Sequence, residues 1–148
     1  MSGVVLVTGA PFSGCSLVAQ LLGGHPNCAA APELSLSLAD TVDGLLQTAA
    51  ISQVPLLDGL LRFIAEYVTG GQHDAGIAAA EAWLDARRAA DTVDLLEALG
   101  AAVAPRRLVI PDPDAALRPD ALMRWQRLAP DLQVVHCLRH PLTHGAVW

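Results

Sequence analysis

The chain opens on a short, unbroken apolar run. Val4 to Val7 are β-branched or aliphatic throughout, which predicts a strand buried on both faces, as in a parallel sheet. A turn rich in Gly, Pro and Ser follows from Thr8 to Gly14. The rhythm then changes. Leu17, Val18, Leu21 and Leu22 recur at helical spacing within Cys15 to Leu22, and Gly23 and Gly24 end that helix. His25 to Leu38, with Pro26 and Pro32 as breakers, reads as irregular. Leu56, Leu57, Leu60, Leu61, Ile64 and Val68 mark an amphipathic helix stopped by Gly70 and Gly71. A further helix is predicted from about Asp74 to Arg88, with Ile77, Trp83 and Leu84 toward the core. Another begins near Asp91 as N-cap, with Val93, Leu96 and Leu99 on one face. Arg107 to Ile110 is a second buried strand, broken by Pro111 and Pro113. Pro119 starts a helix lined by Leu122, Trp125 and Leu128, and Leu132 to Leu138 is a third buried strand, followed by Arg139-His140-Pro141.

Strand, glycine loop and helix, then further strands between helices, predict one α/β domain over residues 1–148. Its architecture is three-layer α/β/α, with a parallel central sheet and a helical insertion at about residues 55–103. In such sheets ligands bind at the carboxyl ends of the strands, where both the Gly9 loop and the Arg139 loop fall.

Composition narrows the chemistry. The 148 residues suffice for one domain with a hydrophobic core. Much of the 53% hydrophobic content is alanine, and no apolar run approaches the roughly 20 residues of a membrane span. Met1 to Thr8 lack a basic leader and a cleavage site, so no signal peptide is expected and a cytoplasmic location is. A net charge of −6 argues against a general nucleic-acid binder. All nine basic residues are arginine, so chemistry that ordinarily uses lysine must use another group or be absent. Cys15, Cys28 and Cys137 form no CxxC pair and no metal-ligand cluster, which fits reduced thiols and no bound metal.

The segment Gly9-Ala10-Pro11-Phe12-Ser13-Gly14-Cys15-Ser16 has the spacing of a phosphate-binding loop, GxxxxGK[ST]. Its glycines let backbone N–H groups turn inward, and the next helix presents its positive end, so the two together cradle an anion. Thr8, Ser13 and Ser16 add hydroxyls. Cys15 stands where nucleoside-triphosphate hydrolases carry lysine, so ATP or GTP hydrolysis is not expected, nor is a kinase. A strand-to-helix turn without a ligand is the alternative, and the loop's position directly after the first strand counts against it.

Read as Thr8 to Leu17, the loop resembles that of sulfotransferases using 3′-phosphoadenosine 5′-phosphosulfate, roughly T-G-x-P-R/K-S-G-T-S-L, where lysine after the second glycine is not expected. Leu22-Gly23-Gly24-His25-Pro26 is similar to the family's L-x-x-H-P, and Pro32-Glu33-Leu34 to its P-E-L. Gly71 to Ile77 and Ala82-Trp83-Leu84 resemble the helical segment of bacterial members. Ala129-Pro130-Asp131 to Pro141 resembles F-P-D-A-x-F-I-H-L-V-R-H-P. The resemblance runs in order through nearly the whole chain.

It implies that Gly9, Ala10, Pro11, Phe12, Ser13, Gly14, Cys15 and Ser16 hold the 5′-phosphosulfate end of the donor. Arg139 would bind the 3′-phosphate, for which a guanidinium's paired donors are suited. Glu33 would be the general base that takes the acceptor's proton. A surface salt bridge is the alternative for Arg139, and a solvated loop carboxylate for Glu33. His25 is expected to pack beside Pro26 and His136 to be a satisfied core histidine, while His140 and His144 are weaker candidates for the nucleotide.

Departures from the family pattern bear on activity. Phe12 replaces a basic residue whose loss would cost on the order of 10²–10³ in rate. Pro111-Asp112-Pro113 replaces Lys-Ser-Pro, which sets an aspartate of the wrong sign beside the phosphates. Val147 replaces a serine, and the chain ends at Trp148, where relatives continue into further helices. The chain is thus read as an N-terminal, C-terminally truncated part of the family fold, with self-association through exposed apolar surface expected. Two functions remain open: sulfuryl transfer to a hydroxyl or amine of a small molecule, weakened or lost, or a non-catalytic module that binds nucleotide or a partner.

Overall fold

The computed structural model describes residues 3–142. Val147 and His144 lie outside the described residues, as does Trp148. The strands are β1 (Val4–Gly9), β2 (Cys28–Ala30), β3 (Arg107–Pro111) and β4 (Gln133–Cys137). The helices are α1 (Cys15–Gly23), α2 (Val42–Ile51), α3 (Asp58–Ile64), α4 (Asp74–Asp85), α5 (Thr92–Val103) and α6 (Pro119–Leu128). A π-helical turn at Ala65–Thr69 prolongs α3 until Gly70, at φ 100°, ends it. No helix among the described residues is long and apolar enough to cross a membrane.

The sheet has the order β2-β3-β1-β4, and every pairing is parallel. Parallel pairing puts all four carboxyl ends at one edge. β1 leads to β2 through α1 on one face, and β3 leads past β1 to β4 through α6 on the other. Those are the crossovers that right-handed connections require.

Residue alternation along β1 explains the layering. Val5 and Val7 face α1 together with Val109, Cys15 and Ala19. Val4 and Leu6 face the opposite way, into a larger core with Leu108, Ile110, Leu60, Phe63, Leu96, Leu99 and Trp125. Four of the helices, α2 to α5, lie between β2 and β3 in the chain and supply a large share of that second core.

The irregular reading of residues 25–38 gives way to a fourth strand, β2, held by β3 through pairs such as Ala29 with Leu108. Helix α2 is a further addition, started by Thr41, whose Oγ1 accepts from the Gly44 N–H at 3.1 Å. Asp91 occupies the N-cap position of α5, but its side chain makes no capping bond. Its backbone instead bridges to Thr41, and Thr92 donates to the Asp40 carbonyl. Leu96 and Leu99 are buried as expected, whereas Val93 and Leu122 lie on outward faces. β4 is not a buried strand. Among the described residues it stands at the sheet edge with one neighbour, which leaves Val134 and His136 exposed and removes His136 from the core.

Candidate functional site

β1 delivers the chain into the loop at Gly9, which lies in register with Cys137. Nothing larger than glycine fits there: an added Cβ would lie 2.4 Å from the Cys137 carbonyl oxygen. The loop then tightens on itself. The Ala10 carbonyl accepts from the Ser13 N–H at 3.0 Å and from the Ser13 hydroxyl. Phe12 (φ 64°) and Gly14 (φ 93°) both adopt the left-handed conformation, and Gly14 caps α1. This is costly for phenylalanine and free for glycine.

Amides of the first turn of α1, at Cys15, Ser16 and Leu17, have no carbonyl within their own helix to donate to. Ser16 is exposed beside them. At the base of the loop the Thr8 hydroxyl is buried without a partner among the described residues. An anion with several oxygens fits this donor set, because amides, hydroxyls and the helix end all favour negative charge. Where the family pattern has a cation, the Phe12 ring is 57% exposed and brings none.

The cation at the loop comes from the far strand. Arg139, just past β4, donates from Nη1 to the Phe12 carbonyl at 3.1 Å. Parallel pairing of β1 with β4 is what joins residues separated by 127 positions. The salt bridges of the described residues do not include Arg139. This bond uses one of the five guanidinium donors.

Glu33 follows β2 at the same edge, two strand positions from β1, or about 10 Å across the sheet. It lines a cavity of about 450 Å³ with Ser35, Leu56, Asp58, Gly59 and Arg62. Desolvation raises its carboxyl above the ordinary value of 4.5, and the charges of Asp112 and Asp114 raise it further. Arg62 pairs with Asp58 at 2.9 Å, one helical turn away. Nothing local marks these two residues as lining a cavity, although an Asp-Arg pair at i,i+4 is a readable sign of an ordered helix face.

The Asp112 side chain turns inward rather than to solvent. Its carboxylate is buried and accepts from Trp125 Nε1 at 2.6 Å, Ser37 Oγ at 2.8 Å and the Ala115 N–H at 3.1 Å. His25 is exposed, and its Nδ1 accepts from the Asn27 N–H at 3.1 Å, a turn-forming contact. His140 Nδ1 accepts from the Leu142 N–H at 3.3 Å.

The sequence matches the sulfotransferase family over residues 5–146. No match emerges among the curated proteins. Among solved structures, the sulfotransferase domain of the Synechococcus PCC 7002 olefin synthase is 24% identical, with a TM-score of 0.80. That match covers 94% of this chain and 49% of the other. The sulfotransferase domain from the curacin biosynthetic pathway is likewise 24% identical with a TM-score of 0.80, over 95% of this chain and 48% of that one. The chain thus spans about half the length of these domains, and the likeness establishes the α/β fold. Family match and fold agree across nearly the whole sequence, and the chain belongs to the sulfotransferase family.

Proposed function

We propose that this chain carries the donor-binding portion of a sulfotransferase, and that its ligand is 3′-phosphoadenosine 5′-phosphosulfate or the product nucleotide. The observation that carries the reading is the meeting of Arg139 with the anion-binding loop at the Phe12 carbonyl. The loop from Gly9 to Ser16 would hold the 5′ end through its amides and hydroxyls, and the guanidinium of Arg139 would take the 3′-phosphate. Bound donor would supply an activated sulfuryl group. Glu33 would accept the proton of an attacking hydroxyl or amine on a small-molecule acceptor, and its raised carboxyl makes it a stronger base than an ordinary glutamate. We read the described residues as one unit, with the helices between β2 and β3 as an insertion.

A second reading, a non-catalytic nucleotide- or partner-binding module, is favoured by one observation: Phe12 brings an apolar ring where transfer needs a cation. Calorimetric titration with 3′-phosphoadenosine 5′-phosphate, with ATP and AMP as controls, tests the binding common to both. Micromolar binding that prefers the 3′-phosphate and weakens at least tenfold in Arg139→Ala is the expected result. Equal affinity for all three nucleotides, or none for any, would remove the donor assignment.

A further inference from the structure

Two thiols meet beneath the phosphate loop. Cys15, the first residue of α1, is buried against Val5, Val7 and Val109, and Cys137, the last residue of β4, packs against the same cluster. Sheet register sets Cys137 beside Gly9, so regular structure fixes both members of the pair. Gly9 and the Ser13 hydroxyl lie beside both thiols. The point where a Gly9 Cβ would stand is 3.1 Å from the Cys137 Cβ and 2.7 Å from Ser13 Oγ, and Ser13 Oγ lies 3.6 Å from Cys15 Sγ. Burial pushes the Cys137 thiol up, and the neighbouring Cys15 thiol raises it further. The third thiol is out of reach. Cys28 pairs with Arg107 at the opposite end of the sheet, about six residues or roughly 20 Å along the strands from Cys137.

We propose that Cys15 and Cys137 are a modification site, a dithiol that closes reversibly to a disulfide and clamps the phosphate loop to β4. A small disulfide such as glutathione disulfide is the oxidant. Cys137, the more exposed of the two, loses its proton to solvent, and its thiolate attacks one sulfur of the small disulfide. A mixed disulfide forms, and one small thiolate leaves and is protonated. Cys15 then loses its proton and attacks Cys137 Sγ, which releases the second small thiol. Two protein thiols are oxidised to one disulfide, and one small disulfide is reduced to two thiols. The new bond, about 2.05 Å long, ties the residue that opens α1 to the strand that leads into Arg139. The inference rests on the packing and register of the two thiols and stands or falls separately from the donor assignment.

Incubation of the full chain in glutathione buffers of rising oxidation, followed by peptide mass mapping, tests it. The expected product is a peptide pair linked through Cys15 and Cys137, two hydrogens lighter and restored by dithiothreitol. Amide exchange over residues 9–17 slows when it forms, and the melting temperature rises by roughly 5–10 °C. Cys28→Ser retains the link, and Cys15→Ser and Cys137→Ser abolish it. Cys15 is buried, so the partly exposed Cys137 is the decisive variant. Mixed disulfides alone, a link through Cys28, or a link that leaves loop exchange unchanged would each overturn the proposal.

Discussion

Asp112 and Glu33 follow neighbouring strands yet meet opposite surroundings. Asp112 is buried with three donors on its oxygens, so its charge is compensated where it sits. Removing it would strand the Trp125 indole, the Ser37 hydroxyl and the Ala115 amide without their acceptor. Asp112→Ala is therefore expected to cost about 3 kcal/mol in urea denaturation, and a loss below about 1 kcal/mol would contradict this account. Glu33 has the reverse problem. Desolvation comes first, then the charges of Asp112 and Asp114, and all three oppose its ionised form. The folded chain thus holds the Glu33 proton more tightly than the unfolded chain does. Stability from this group is full below the ordinary value of 4.5 and falls as the pH rises through the raised value. Glu33→Gln removes the penalty, so the variant should melt higher than the parent at pH 7 and equal to it below pH 4. The opposite order at pH 7 would mean that Glu33 has a cationic partner.

At the scale of elements, α3 reaches the site only because Gly59 has no side chain. A Cβ there would lie 2.1 Å from the Glu33 carbonyl oxygen, which is backbone and cannot swing aside. Alanine improves helix propensity by at most about 1 kcal/mol, whereas overpacking costs about 1–3 kcal/mol, so the clash wins. Gly59→Ala should lower stability and move the Glu33 titration followed by carbon NMR. An unmoved titration would show that α3 does not set the Glu33 environment. The same scale explains what the sequence disclosed. β1, β3, β4 and α1 follow from runs and spacings that need no tertiary help, and the loop follows from its glycines. β2 is three residues, Cys-Ala-Ala, of weak strand propensity, and exists because β3 supplies its partners. Helix α2 had a local signal in Thr41 and the spacing of Val42, Leu45 and Leu46, weakened by Gly44 in its first turn. Arg139 was legible as a residue after a strand, but its contact with Phe12 depends on the β1–β4 register, which no local pattern encodes. Pro111-Asp112-Pro113 reads locally as a break, and only the arrival of α6 with Trp125 turns the aspartate inward.

For the molecule as a whole, apolar exposure and net charge compete. Leu17 and Leu21, 65% and 70% exposed, stand one turn apart on the outer side of α1; among the described residues β4 is paired on one side only, with Val134 exposed, as is Leu138 just beyond it. Such surfaces favour contact between copies, while a net charge of −6 opposes it. Salt decides which term governs, because screening removes repulsion and leaves apolar contact intact. Sedimentation at rising protein concentration should show association that strengthens from low to moderate salt. Leu17→Gln with Leu21→Gln should reduce it without moving the melting temperature, since exposed positions contribute within about 0.5 kcal/mol to stability. Association that weakens with salt would assign the contact to ion pairs, and a monomer at every concentration would show that the charge outweighs the exposed leucines.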